Sequence, residues 1–480
     1  MYKEEINKQY ILKLINNLDM DSIFVVDSIN NKQYTYRKLF SLAYEISLKQ
    51  RKCGVDKYIV LLDNSIELFL FYFSSLFSNK IIIPLDPLKQ DDEVNKIIQT
   101  HDDSILVNIN NVNEFMNFED MKELTNKMIF YYIRNMDVDK SYLITYTSGS
   151  TGNPKGVVHS AFNLFYAAII MGKSLKYTDN CVFGHIMPMT YMAGILNSIF
   201  MPFIMKSKIV IMNRFTAEQA LHFWKNVMSY SINTFWFSPT MLHVLLYMDK
   251  KGQVKNYFAS NKPIISVGTA PLSLELRNKF ENKYDVKLLQ SYGLSETLFI
   301  STECNDDEIK DSSVGKILDN VIIKFDSDNQ ILVKVPWLMK GYYDCNMSDY
   351  MIDDFYKTGD LGVISDNKLF IKGRKKDLII KGGINISPSD IENKIISISD
   401  VSDCYIASII SNNEERIVCW YKSNKILLES EINDIIVKEL GKYYKVDYFM
   451  KMTEIYKNLN GKVDKNKLIS SFYKQFRGEE

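Results

Sequence analysis

Residues 145 to 156 read TYTSGSTGNPKG and follow the strand-like run YLITYT. Small hydroxylated side chains and three glycines let backbone N–H groups and hydroxyls close on a polyphosphate, and Lys155 adds a mobile positive charge. Thr147, Ser148, Gly149, Ser150, Thr151 and Gly152 are therefore candidate phosphate contacts. The run is not a Walker A loop, because Lys155 follows Pro154 and no Gly-Lys-Ser/Thr is present, which disfavours a P-loop ATPase or kinase. A flexible surface loop would explain the glycines and serines but not the apolar strand before them or the Pro-Lys-Gly ending.

Three further groups of residues have chemical potential. In SYGLSET (291–297), Tyr292 offers a flat ring for stacking a base, Gly293 lets the backbone come close, and Ser295 with Glu296 suits a phosphate and its magnesium ion. Taken alone, the same residues read more readily as a strand-to-helix turn with an exposed glutamate. Asp360 in KTGDLG accepts two hydrogen bonds, as a cis-diol such as ribose requires, or simply marks a turn. Gly268, Thr269 and Ala270 end the strand-like PIISVG, where ligands sit in parallel α/β sheets. By residue type alone, GRKKD (373–377) is a solvated charge run and Lys462 an exposed lysine.

Positioning these groups calls for a sheet. From about residue 58 to 300, strand-like runs (YIVLL, KIIIPL, YLITYT, KIVIM, INTFWF, PIISVG, KLLQSY) alternate with helical periods, which implies α/β layers around mostly parallel sheets. The clearest helix is expected over 216–230, with a Thr216/Gln219 capping box and Ala220, Leu221, Trp224, Val227 and Met228 on one face. After about Ser312 the pattern turns to hairpins, a small β region: VIIKFDSDNQILVKV, LGVISDNKLFIKG, then DLIIKGGINI with Gly382 and Gly383 at its turn. Ser387, Pro388 and Asp390 open a helix, and the last hundred residues read as a small α+β domain.

Composition narrows the partners. The chain has 480 residues, room for two to three packed units. Its 58 basic residues cancel 58 acidic ones, so nothing marks a nucleic-acid or anionic-membrane surface. The run from Ile66 to Phe77 is too short and too interrupted to span a bilayer, and the N-terminus lacks the features of a signal peptide. Six scattered cysteines without a CxxC pair, and five histidines without metal spacing, lead us to expect a reduced cytoplasmic protein.

In order along the chain, TSGSTGNPKG, SYGLSET, YKTGDLG (356–362), GRKKDLIIKGGINISPSDIE (373–392) and NLNGKVDKNKL (458–468) resemble the motifs of the adenylate-forming superfamily. That superfamily comprises acyl- and aryl-CoA synthetases, adenylation domains of nonribosomal peptide synthetases, and luciferases. TYRKL (35–39) and IIIPLDP (81–87) extend the resemblance over roughly residues 20 to 470. It implies a large N-terminal domain (1–375) and a small mobile C-terminal domain (376–480). It further implies Tyr292 against adenine, Ser295 on the α-phosphate, Glu296 on Mg2+, and Asp360 with Arg374 on the ribose. Lys376 would be the hinge, and Gly382 and Gly383 would line a thiol channel. Lys462 would reach between the substrate carboxylate and the α-phosphate, where a compact ammonium suits developing charge. ATP, Mg2+ and CoA, or a carrier-protein phosphopantetheine, are the implied cofactors.

The resemblance also places an acyl pocket at Tyr191, Met192, Trp236, Gly268, Tyr292 and Leu294. That mostly apolar, aromatic lining suits an aryl or short-to-medium acyl acid. No Asp or Glu lies between Asn180 and Ala217 to hold an α-ammonium group, and Tyr191 stands where relatives often carry histidine. The leading expectation is an enzyme, an AMP-forming acid–thiol ligase making an acyl-CoA from a small-molecule carboxylic acid. The alternatives are a stand-alone enzyme loading an acyl or peptidyl carrier protein and a non-catalytic nucleotide-binding relative. Nothing in the sequence indicates oxygen chemistry.

Overall fold

The structure is a computed structural model that describes residues 6–118, 122–147, 154–249, 252, 254–307, 312–381, 384–398, 401–411, 414–423, 425–426, 428–456 and 463–476. The chain divides into two compact units, 1–322 with 333–355, and 323–332 with 356–480. The boundary expected at 375/376 falls inside the second unit.

The larger unit contains two sheets. In the first, the order is Gly341–Tyr342, Lys155–Ser160, Ser141–Thr147, Ile81–Leu85, Lys57–Leu61 and Ser104–Asn108. Its last four strands pair in parallel, and the 155–160 strand returns antiparallel along 141–147. In the second, Leu288–Leu294, Ile264–Val267, Thr234–Phe237, Val182–His185, Lys208–Ile211 and Ile23–Asp27 form a parallel series. Antiparallel strands flank that series at Lys32–Thr35 and Leu298–Thr302. Mostly parallel α/β layering is thus what the alternating pattern required.

Buried parallel strands need cover on both faces. On one face of the second sheet, Phe235, Phe237, Ile265, Val267 and Leu288 pack against helices through Phe223, Trp224, Leu242, Leu245, Phe258, Phe280 and Tyr284. The helix Ile66–Ser78 is buried on nearly every side, which explains why its sequence is apolar all round yet only 13 residues long. Phe69 and Phe73 stack there with centroids 5.2 Å apart, against Phe24 and Phe203.

All seven strand-like runs between 58 and 300 form strands. The helix expected over 216–230 does not run unbroken. Thr216 Oγ1 accepts from Gln219 N as a cap should, but the helix stops at Ala220 and restarts over Phe223–Ser229. Leu221 N and His222 N bond three residues back, to Glu218 O and Gln219 O. This tighter turn shifts the phase so that Phe223 faces the core and Leu221 is 61% exposed.

In the smaller unit, the hairpin that pairs Ile364 with Leu369 and Ser365 with Lys368 turns through Asp366 and Asn367, both at positive φ (48° and 62°), which suits the right-handed twist of its arms. Ile379–Lys381 pairs with Ile384–Ile386 as expected, and a helix opens at Pro388. The strands Val401–Ser411, Glu414–Ser423 and Tyr448–Lys451 form a three-stranded sheet with a core on each face. Ile406, Ile417 and Cys419 pack on one side, and Ala407, Val418 and Trp420 on the other, the alternation a two-residue period dictates.

Candidate active site

Thr147 and Lys155 are partners across the antiparallel pair that flanks the phosphate-loop sequence, so the chain returns to the point at which it left. Ser148, Gly149, Ser150, Thr151 and Gly152 lie outside the described residues, as do Gly382, Gly383 and Lys462.

Lys155 projects into a pair of tyrosines. Its Nζ lies 2.6 Å from Tyr350 Oη, 4.7 Å from the Tyr350 ring centre and 5.5 Å from that of Tyr342. The two rings meet edge to face at 4.7 Å. Tyr342 Oη in turn donates to Glu296 Oε1 at 2.8 Å. The cation of the phosphate-loop sequence and the carboxylate of SYGLSET are thus joined through one tyrosine.

The segment 337–343 fastens the two motifs together. Trp337 Nε1 donates to Thr297 O at 2.8 Å, and Met339 N to Glu296 O at 2.9 Å. Lys340 N and Tyr343 N then bond Val158 O and Gly156 O on the strand that follows the phosphate-loop sequence. His159, fully buried, adds a side-chain tie, with Nε2 2.7 Å from Ser295 O. A carbonyl can only accept, so Nε2 carries a proton; burial drives the ring's pKa down to about 4 against the opposing pull of the Ser295 carbonyl, which leaves it neutral near pH 7.

SYGLSET occupies the end of the 288–294 strand and the turn into 298–302. Gly293 is obligatory, since a Cβ there would lie 1.7 Å from the Leu298 carbonyl oxygen. Leu298 accommodates this close approach at φ 52°. Upstream, Arg277 donates to Leu288 O at 2.8 Å and to Glu303 Oε2 at 2.7 Å, and that oxygen also accepts from Gln290 N. This pair is almost wholly buried and pins the strand that carries Tyr292.

Gly268, Thr269 and Ala270 follow the carboxyl end of the neighbouring strand. A Cβ at Gly268 would stand 3.2 Å from Ser291 Oγ and 3.7 Å from the Trp236 ring, which is buried against Phe299 with centroids 5.7 Å apart. Thr269 takes φ 71°, and its buried hydroxyl has no hydrogen-bond partner among the described residues. A strained residue with an unanswered hydroxyl at a strand's carboxyl end fits a ligand that supplies the missing partner. Tyr191 precedes the short helix Met192–Ile195, which continues through a π-helical turn, Leu196–Phe200. Gly194 admits no side chain, because its Cβ would meet Pro188 O at 2.0 Å. Tyr191 and Leu294 are half-buried, and Met192 and Trp236 buried.

In the smaller unit, Asp360 and Arg374 are cross-strand partners, with Arg374 Nε 3.1 Å from Asp360 Oδ1. Asp360 is buried while Arg374 is exposed, and Lys376 is exposed in a short 3-10 turn. Among the described residues no three or more His, Cys, Asp or Glu are grouped to hold a metal. A divalent ion near Glu296 would thus draw most of its shell from phosphate and water oxygens, the arrangement Mg2+ favours.

Of the sequence candidates, Lys155, Glu296 and Ser295 are tied together by Tyr342, Tyr350 and His159, with Trp337 bonding the neighbouring Thr297, and the sequence singled out none of these four. Two tyrosines among 30 carry no signal by themselves.

The fold and these motifs define a nucleotide-using α/β enzyme: residues 16–343 match the AMP-binding enzyme family, and the chain belongs to it. It is 26% identical to malonate–CoA ligase of Arabidopsis thaliana, over 70% of this chain and 62% of that protein. It is 27% identical to 2-succinylbenzoate–CoA ligase of Bacillus subtilis, over 69% of each. Its fold matches ATP-bound MatB from Rhodopseudomonas palustris with a TM-score of 0.83, at 20% identity, covering 98% of this chain and all of that one. Among the described residues, no helix is long and apolar enough to cross a membrane.

Proposed function

We propose that this protein is an AMP-forming acid–thiol ligase that activates a small carboxylic acid with ATP and transfers the acyl group to CoA. The observation that carries the reading is the joining of Lys155 to Glu296 through Tyr342, beside the phosphate-loop sequence. CoA is favoured as acceptor because both curated relatives above are CoA ligases; a carrier-protein phosphopantetheine is the alternative.

A carboxylate is a poor acyl donor until its oxygen is converted to a better leaving group. In the first step the acid's carboxylate attacks the α-phosphate in line, and pyrophosphate departs. No protein nucleophile is required, so the chain contributes position and charge. Lys155 receives the departing phosphates, Ser295 the α-phosphate, and Lys462 the charge developing between acid and phosphorus. Glu296 would hold Mg2+, which when bound would offset the charge of the phosphates. Tyr292 stacks on adenine, with Gly268, Thr269 and Ala270 at its edge, and Asp360 with Arg374 takes the ribose hydroxyls. In the second step a thiol attacks the acyl carbon and AMP leaves; Gly382 and Gly383 line the thiol's path. Tyr191, Met192, Trp236 and Leu294 bound the acyl group, and this apolar set favours an aryl or short-to-medium acyl acid.

Acid-dependent ATP–pyrophosphate exchange across a panel of aryl, fatty, hydroxy, dicarboxylic and amino acids tests the reading. Exchange with one class is expected. Silence across the panel from folded protein that binds ATP would favour the non-catalytic alternative.

A further inference from the structure

The two tyrosines around Lys155 touch no substrate in the roles assigned above. Tyr342 touches both charged groups, its ring face toward Lys155 and its hydroxyl on Glu296. It is buried, and its strand pairs with the strand that follows the phosphate loop, Tyr342 opposite Val157. The backbone of Glu296 is held by Met339, three residues before Tyr342. Lys155 and Glu296 therefore have their spacing set by one rigid side chain rather than by direct contact. Tyr350 does something different. Its hydroxyl accepts a hydrogen bond from the ammonium at 2.6 Å, taking one of the three N–H donors and turning the group toward the phenol. A phenol oxygen is neutral, so a phosphate oxygen, which is charged, is the stronger acceptor for the same proton.

We propose that Tyr342 is a positioning residue that sets Glu296 against Lys155, and that Tyr350 is the resting acceptor for Lys155, displaced when a polyphosphate binds. The inference rests on the ligase reading for the identity of the polyphosphate. Exchange at Lys155 would let the site hold its lysine aligned without an anion. Binding then swaps a neutral partner for a charged one, while the Tyr342 ring continues to favour the cation.

The test is calorimetric titration of ATP into the full-length wild type, Tyr342→Phe and Tyr350→Phe at several Mg2+ concentrations, with melting temperature recorded for each. Both substitutions keep the rings and remove only the hydroxyls. Tyr342→Phe should raise the Mg2+ concentration for half-maximal ATP binding about tenfold, the order expected for a lost bond to a charged group. Tyr350→Phe should instead tighten MgATP binding about threefold, by removing a competitor for the ammonium. That gain should vanish in a Lys155→Ala background. Unchanged or weaker binding in Tyr350→Phe would overturn the resting-acceptor role, even where Tyr342→Phe fails to fold. Unchanged or tighter Mg2+-dependent binding in Tyr342→Phe would overturn the positioning role. A folded wild type that binds no MgATP would overturn the ligase reading itself, and this inference with it.

Discussion

At the scale of residues, charge at the site is held by neighbours that carry none. Tyr342, Trp337 and His159 contribute only hydrogen bonds and ring faces, yet they fix Glu296, Thr297 and Ser295 relative to the phosphate-loop strand. His159 gives this a pH signature. Its folded pKa of about 4 lies below the ordinary value of 6.5, so between those limits the unfolded chain binds more protons and stability falls as the pH drops. Burial lowers His101 and His185 to about 4 as well, so the window is shared. In His159→Gln, whose amide can still donate to the Ser295 carbonyl, the slope of unfolding free energy against pH should shrink by up to about 1.4 kcal/mol per pH unit between pH 4 and 6.5. Denaturant titrations at a series of pH values read this out; an unchanged slope would mean that His159 is protonated in the fold. Lys462 is tested by function. Lys462→Ala should lower adenylate formation by about 10² or more while sparing thiolysis of supplied acyl-adenylate, and equal loss of both would remove it from the first step.

At the scale of elements, the hairpin carrying SYGLSET depends on a backbone approach that one atom would block. Gly293→Ala places a methyl against the Leu298 carbonyl and should cost about 2 kcal/mol or more, with adenylation falling further than stability alone explains. Thermal melts beside exchange assays check it, and a variant melting like wild type would show that the turn can relax. Such elements differ in how far the sequence announces them. Each of the seven strand-like runs between 58 and 300 formed, because a buried parallel strand is written as a short apolar run bounded by polar residues. The 216–230 helix was half legible: its cap and buried face are local properties, whereas the tight turn at Leu221 and His222 is not marked by any breaker residue. Lys155 and Glu296 were visible through their motifs. Tyr342 and Tyr350 were not, since what distinguishes them is arrival next to Lys155 from nearly 200 positions away, and such contacts leave no periodicity.

On the scale of the whole molecule, the candidate residues are shared between two compact units. The phosphate-loop strands, Tyr292 and Glu296 belong to the larger unit, and Asp360, Arg374 and Lys376 to the smaller. Lys376 lies within the smaller unit and not at its edge, so a hinge there is tested separately from the division into units. Lys376→Pro, which fixes φ at an exposed position, should damage thioester formation far more than ATP–pyrophosphate exchange. Parallel assays of the two half-reactions decide it, and normal overall turnover would rule out a hinge there.

The central claim is that the acid's own oxygen attacks the α-phosphate. With an acid that supports exchange, labelled with 18O in its carboxylate and supplied with ATP, Mg2+ and CoA, one labelled oxygen should appear in AMP for each thioester formed. Label found in inorganic phosphate with ADP as co-product, or AMP free of label, would contradict the account.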